Sequence, residues 1–325
     1  GNCTLGCQAL GVINTISARI SDPVDSSQGA YLYQSTLLKT GAGAFPMALE
    51  FGVQYGSSAI TSAPSLGRGW SHSLDITAQK NSDGFGAFGG GDAWNMAEMI
   101  AEKFVSLDLL SENVATSALV PLKNLAVATV GHRWIGDRII GNVLGVSSGG
   151  AVESFTRLAD GTYNPPAKST ARVAPDATAN WIYTSGDGSR FSFNTVDSTT
   201  ASAQPIYRVA TVAAPSGLAA RFTYDATGHL LTSVKNSPGR TLALTWAGST
   251  ITQVRELYVG GALGRTVGFG YDANGNLSAL TDTRGKSMLF CSDSVGRITS
   301  YFLPKLVAAG ATCGGPIAPT IANTY

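Results

Sequence analysis

Any chemistry in this chain would have to come from its three histidines, its four cysteines and the acidic residues near them. His72 lies between Ser71 and Ser73 with Asp75 close by, residue types that could serve nucleophilic catalysis. Side chains adjacent on an extended strand point to opposite faces, so Ser71, His72 and Ser73 do not converge on one substrate. His132 falls in a stretch of helical periodicity, where a satisfied structural role is expected, and His229 falls in a turn and reads as a surface residue. Asp225 and Asp272 could act as paired carboxylates in glycoside hydrolysis, but each opens an Asp-x-x-Gly turn and is read as a turn former. The cysteines stand at Cys3, Cys7, Cys291 and Cys313. An even count in a Gly- and Thr-rich chain points to disulfides and an oxidising compartment. Cys3 with Cys7 and Cys291 with Cys313 are candidate pairs, and the sequence leaves the connectivity open. Cys3 and Cys7 have no nearby His, so no zinc site is expected. The run 84–89, Gly-Phe-Gly-Ala-Phe-Gly, matches dinucleotide-binding spacing, but the polar turn Asn81-Ser82-Asp83 precedes it and no βαβ alternation surrounds it. The expectation is no catalytic residue, no cofactor and no metal.

The residues that organise the chain are turn residues. Tyr224-Asp225-Ala226-Thr227-Gly228-His229-Leu230 recurs as Tyr271-Asp272-Ala273-Asn274-Gly275-Asn276-Leu277 and, degraded, as Ser292-Asp293-Ser294-Val295-Gly296-Arg297-Ile298. The spacing from Gly275 to Gly296 gives a period of about twenty residues, a repeat signature. Between the first two copies, Trp246-Ala247-Gly248-Ser249-Thr250-Ile251 fills the place of an intermediate unit without the Asp. In each unit an alternating apolar run reads as a strand. Asp then bonds the backbone ahead of it, Gly supplies a positive φ, and a second run returns. Such a hairpin cannot bury its own face, so neighbours must cover it.

At these residues the chain resembles the bacterial Rhs, or YD-repeat, family, whose consensus is roughly Tyr-Asp-x-x-Gly-Arg-Leu. Two stretches of the amino-terminal half strengthen the resemblance. The segment 22–31, with Pro23, Asp25 and Gly29, is similar to the opening of the Rhs conserved region, and Leu66-Gly67-Arg68-Gly69-Trp70-Ser71-His72 is similar to the Gly-x-Gly-Trp-Ser-His stretch that follows it there. The resemblance implies a long β-ribbon coiled into a shell or solenoid, usually within a much larger polypeptide. It implies no single activity, because family members encapsulate toxins, decorate surfaces or form adhesive appendages. Members that cut themselves carry a carboxy-terminal motif with Asp-Pro and Gly-Leu, which is not found here.

The expected fold is therefore mainly β, a ribbon of antiparallel YD-type hairpins with an inserted helical hairpin. We divide the chain into an amino-terminal arm (1–20), a β region (21–90), a helical insertion (91–145), the β-hairpin repeats (146–303) and a carboxy-terminal arm or linker (304–325). Strands are expected at 13–20, 31–38, 47–55 and, as one run, 71–77. Met96, Met99, Ile100, Phe104, Leu107 and Leu110 step at helical spacing as a core stripe. Ser111 is a candidate cap, and a second helix is expected from Pro121 to Ile140 with Gly141 as terminator. Trp70 is read as a core anchor.

Composition bounds the function. Charged residues make up only 13%, against the usual quarter, and 39 glycines accompany abundant Ser and Thr, which favours an extracellular β protein rich in turns. A net charge of +1 argues against a nucleic-acid binder, and no apolar run is long enough to span a bilayer. The expected function is a non-enzymatic structural protein, secreted or on the cell surface, that self-associates or continues into a shell or filament. The alternatives are a fragment of a toxin-encapsulating shell and a module binding surface glycans.

Overall fold

The computed structural model describes residues 24–25, 30–60, 65–82, 93–104, 106, 120–139, 141–178, 180–200 and 205–323. The expected strand at 13–20, the glycine run 84–89 and residues Cys3, Cys7, Pro23, Gly29, Leu107, Leu110 and Ser111 lie outside them.

Strands β1 (Val24–Asp25), β2 (Ala30–Thr40), β3 (Leu49–Gly56) and β4 (Trp70–His72) form a four-stranded sheet in that order. β2 and β3 are the expected pair, with Tyr33 opposite Tyr55. The run expected as one strand at 71–77 is two: it breaks after His72, and β5 (Ile76–Asn81) enters a different sheet. Ser73 makes the bend. Its N–H donates to the Gly52 carbonyl (2.9 Å), its Oγ accepts from the Gly52 N–H (3.0 Å) and donates to the Glu50 carbonyl (3.0 Å), and Asp75 N–H closes the turn on His72. A serine that satisfies three backbone groups holds a corner that alternation alone does not reveal.

The helices α1 (Ala93–Phe104) and α2 (Val120–Ile139) pack on each other and interrupt the chain between β5 and β6 (Val143–Ser148). These strands are antiparallel neighbours, Asn81 facing Val143, so the insertion leaves and re-enters at one strand end. Gly141, with φ +66°, follows the end of α2. The expected core stripe is only partly buried: Met96 is enclosed with Ala97 and Ala101, whereas Met99 and Phe104 face out. The inward face of α1 is thus set by small residues against α2.

Strands β7 (Ala151–Arg157) and β8 (Tyr163–Asn164) continue the second sheet, and β9 (Arg172–Pro175), β10 (Trp181–Thr184) and β11 (Arg190–Phe193) begin a third. β12 (Thr195–Val196) and β13 (Ile206–Arg208) return to the second sheet, whose order is β12-β13-β5-β6-β7-β8. Among the described residues the third sheet has thirteen strands and is open. β14 (Thr211–Ala213), β15 (Ala219–Tyr224), β16 (Leu231–Asn236), β17 (Thr241–Ala247), β18 (Thr250–Leu257), β19 (Leu263–Tyr271), β20 (Leu277–Thr281), β21 (Ser287–Ser292) and β22 (Ile298–Phe302) each pair antiparallel with the next. The turns of this meander alternate between two ends. Three Asp-x-x-Gly turns, at 225–228, 272–275 and 293–296, share one end with the turn at 247–250; the turns at 214–217, 236–239 and 258–261 and a further Asp-x-x-Gly turn at 282–285 form the other.

The repeats extend one sheet edge to edge, and the cover comes from the amino-terminal sheet. Phe51, Tyr55 and Trp70 pack with Leu242, Val254, Val267, Leu280 and Phe290 in one core. The Trp70 ring lies 5.1 Å from that of Phe290, and Phe51 lies 5.9 Å from Phe269, both edge-on, the arrangement that aromatic quadrupoles favour. Trp70 is 2% exposed and sits at the centre of this packing. The segment expected as an arm or linker folds back on its own sheet: α3 (Pro304–Ala308) packs on β21 and β22, and β23 (Ile321–Ala322) pairs with β22.

Candidate functional site

Each Asp-x-x-Gly turn is closed by its carboxylate. Asp272 Oδ1 accepts the N–H groups of Asn274 and Asn276, both at 2.9 Å, and Gly275 N–H returns to the Asp272 carbonyl at 3.0 Å. Asp293 repeats this with Val295 and Arg297, and Asp225 with His229 and Leu230. The backbone donor at Leu230, with the Thr227 hydroxyl, holds the Asp225 carboxyl below its usual range. At Asp293, burial pushes the carboxyl up, but donors from Arg297 and Val295 outweigh it and keep the group low. Acceptor-only carboxylates spent on two or three donors are turn staples, not free acids.

The aromatic residue before each turn has its own task. Tyr271 donates its hydroxyl to the Ile251 carbonyl (2.6 Å), and Tyr224 donates to the Val209 carbonyl (2.9 Å). In the unit without Asp, Trp246 Nε1 donates to the Leu231 carbonyl at 2.8 Å. A phenol O–H and an indole N–H are both ring-borne donors, which is why Trp can stand where the repeat has Tyr. Burial drives the hydroxyls of Tyr224 and Tyr271 well above their ordinary pKa, so both remain donors.

The two motifs singled out in the sequence meet here. The segment 65–70 runs along the row of Asp-side turns. The Ser65 carbonyl accepts Ile251 N–H (2.8 Å), Gly67 lies on the turn at 275–277, and Arg68 reaches the Val295 carbonyl (3.4 Å). Gly67 has φ +89°, and a Cβ there would stand 2.8 Å from the Gly275 carbonyl oxygen; at Gly69, φ +76°, it would stand 2.7 Å from the Tyr55 ring. Both conditions require glycine. Tyr55 completes the seam, its hydroxyl accepting Ile298 N–H (3.1 Å) and donating to the Gly296 carbonyl (3.3 Å). Asp25 lies in β1 opposite Ala30, away from this row in the pairing.

The fourth turn of the row docks on a charged joint. Asp197, just after β12, has a side chain with 0% exposure. It pairs with Arg208 Nη2 at 2.8 Å and Nε at 3.2 Å, with His229 Nδ1 at 2.7 Å and with the Thr199 hydroxyl at 2.6 Å. Arg208 also reaches Asp75 at 3.4 Å. Burial pushes the Asp197 carboxyl up, but the bonds from Thr199, His229 and Arg208 outweigh it and bring it down to about 2. His229, expected as a surface or turn residue, follows the turn and links it by hydrogen bond to Asp197 and so to Arg208 on β13. The set has Thr, His and Asp, yet it is no relay. Asp197 and Thr199 both meet Nδ1 of His229, whereas a relay uses the two ring nitrogens for base and nucleophile.

His72 is buried, 3% exposed, and stacks on Phe51 with ring centroids 5.2 Å apart. Burial lowers its pKa, which favours a neutral core imidazole. His132 lines an open cleft of about 500 Å³ between α1 and α2 with Glu98 and Glu102. Among the described residues no group of three or more His, Cys, Asp or Glu side chains is gathered as metal ligands. Cys291 and Cys313 are joined in a disulfide with Cα atoms 5.6 Å apart.

Sequence reading did not find Asp197, Arg208 or the second buried charge, Glu256. The Glu256 carboxylate is held by Arg265 (2.9 Å), while Arg240 ties the same corner to Thr40 Oγ1 (3.2 Å). Arg208 also joins Asp75 and Arg240 joins Thr40, contacts remote in the chain that no local spacing marks.

A family model for the RHS repeat matches residues 259–287, which run from the turn before β19 through the Asp272 turn to the start of β21. No curated protein matches the sequence significantly. Among solved structures, the N-terminal domain of effector protein SpvB from Salmonella typhimurium strain LT2 is similar at 11% identity, over 76% of this chain and 97% of that one, with a TM-score of 0.43. The crystal structure of TcdB2-TccC3-TEV is similar at 14% identity, over 54% of this chain and 9% of that one, with a TM-score of 0.27. The Photorhabdus luminescens Tc holotoxin pore is similar at 14% identity, over 50% of this chain and 11% of that one, with a TM-score of 0.21. Residues 259–287, with the Tyr-Asp-x-x-Gly turn at 271–275, are thus similar to the RHS repeat.

Proposed function

We propose that this chain is a non-enzymatic structural protein, secreted or on the cell surface, and that it forms a wall segment of a larger β-sheet shell or filament with further copies or further strands. The observation that carries this reading is the use made of its polar side chains. The carboxylates of Asp225, Asp272 and Asp293 close turns, and Asp197 and Glu256 join separate parts of the fold. An open sheet of thirteen strands, covered on one face by a shorter sheet, supports a role as wall. Among the described residues no helix is long and apolar enough to cross a membrane.

The test is electron microscopy of the native preparation beside intact mass. Ordered filaments or sheet-walled particles are the expected result, and hollow particles from a much longer chain would narrow the role to encapsulation. A monodisperse monomer at high concentration that turns over a substrate would overturn the proposal.

A further inference from the structure

The last strand of the long sheet is sealed by the chain's own tail. β23 pairs with β22 at only two positions, Ser300 with Ala322 and Tyr301 with Ile321. Hydrogen bonds on either side of these two positions extend the seal. Thr320 N–H donates to the Tyr301 carbonyl (2.9 Å) and Asn323 N–H to the Thr299 carbonyl (2.7 Å). Asn323 Nδ2 reaches the Ile298 carbonyl (2.9 Å), and Thr320 Oγ1 accepts Leu303 N–H (3.0 Å). Residues 320–323 therefore satisfy an edge that would otherwise offer unpaired backbone groups to any passing strand.

Little apolar burial holds this strand: Ile321 is half-buried and Ala322 exposed. The anchor lies upstream. On the outer face of the last hairpin, Leu289, Cys291 and Phe302 are covered by Leu306, Val307, Ala311 and Ile317, and the disulfide from buried Cys291 reaches exposed Cys313. Between Cys313 and the sealing strand runs Gly314-Gly315-Pro316-Ile317-Ala318-Pro319, a hinge in which the prolines supply no N–H.

We propose that the β22 edge is a strand-accepting interface between copies of this chain, occupied by its own residues 320–323 while the Cys291–Cys313 bond is intact and opened to the same segment of a second copy when that bond is reduced. The proposal rests on the self-association put forward above and gives it an interface. The occupant is the segment already shown to fit the edge, and mutual exchange of it closes a two-fold dimer in which both β22 edges are covered. Reduction by a dithiol adds two electrons and two protons to the disulfide, giving two thiols, while the dithiol becomes a disulfide. In the opened state Leu306, Val307, Ala311 and Ile317 leave the last hairpin together with Cys313, and the free tether lengthens from 314–319 to 303–319. With effective concentration falling as the −3/2 power of length, the intramolecular advantage drops about four- to five-fold.

The experiment uses the register. In the full chain, Ser300→Cys with Ala322→Cys places a cysteine pair across the seal, and non-reducing gels report whether it links within one chain or between two. With Cys291–Cys313 present, the link is expected within one chain. With Cys291→Ala and Cys313→Ala added, the between-chain fraction is expected to rise about four- to five-fold at equal protein concentration and to grow with concentration. Links within one chain in both backgrounds would overturn the proposal. Oligomers without any 300–322 link would overturn this interface and leave the wider self-association standing, whereas a monomer in every state would count against both. Should the alanine variant not fold, amide exchange on the unaltered chain decides: protection at Thr320 and Asn323 falls on adding dithiothreitol, and unchanged protection refutes the mechanism.

Discussion

Replacing Asp197 by Asn keeps the shape of the joint and removes the charge on which Arg208 and His229 converge. Arg208, whose side chain is 15% exposed, would keep Asp75 at 3.4 Å as its charged partner, and that side chain is 37% exposed. Breaking a buried pair costs about 3–5 kcal/mol; Asp75 and the remaining amide acceptor place this case near the lower end, about 3 kcal/mol. For a chain of this size, with a urea slope near 3 kcal/mol per molar, that is a midpoint shift of about 1 M. The pH dependence gives a second reading. The Asp197 carboxyl is held at about 2, below its ordinary value of 3.8. A carboxyl lowered on folding stabilises above its unfolded value and loses that stabilisation as pH falls toward the folded one. At 1.36 kcal/mol per unit the loss is roughly 2 kcal/mol. The gap between the parent and Asp197→Asn should therefore shrink from about 3 kcal/mol near neutral pH to about 1 kcal/mol near pH 2, followed by urea titration with tryptophan fluorescence. A gap that stays constant across this range, or a variant within about 0.5 kcal/mol of the parent near neutrality, would refute the joint.

Tyr271→Phe leaves the buried Ile251 carbonyl without its donor and is expected to cost about 1–3 kcal/mol, while the same change at exposed Tyr258 stays within about 0.5 kcal/mol; equal effects would sink the ring-donor account. Gly67→Ala forces both a left-handed backbone and a clash with the Gly275 carbonyl. It should exceed Gly217→Ala, which has the same φ class and open space, by about 1 kcal/mol or more in chemical denaturation. His72, whose pKa is lowered on folding, stays neutral in the fold while the unfolded chain takes up a proton. Stability should therefore fall as pH drops below about 6.5, and His72→Phe should flatten that slope in thermal scans at stepped pH.

The Asp-side turns were readable because everything that makes them lies within six residues: ring donor, carboxylate, glycine and returning strand. The opposite row was harder to see. Its turns at 236–239 and 258–261 share the geometry with other residue types, and the first is fixed by a partner remote in sequence, Asn236 Nδ2 donating to the Met47 carbonyl at 2.7 Å. The corner at Ser73 was hidden because alternation runs through it unbroken, and only bonds to Glu50 and Gly52 show the break. His229 looked like an ordinary turn residue because its partner Asp197 is remote in sequence and near only after β13 is placed. The tail looked like a linker because its sealing rests on backbone hydrogen bonds, which leave no trace in hydrophobic pattern.

The alternation of the two turn rows also constrains how such a sheet can change in length. Adding a single strand between β15 and β22 would move every later Asp-side turn to the far end, out of reach of Ser65, Gly67 and Arg68. It would likewise carry a ring donor away from its acceptor wherever the added strand falls between the two. Growth or loss must proceed by whole hairpins, two strands at a time. Parity, more than the identity of any one residue, is what duplication or deletion in this sheet has to preserve.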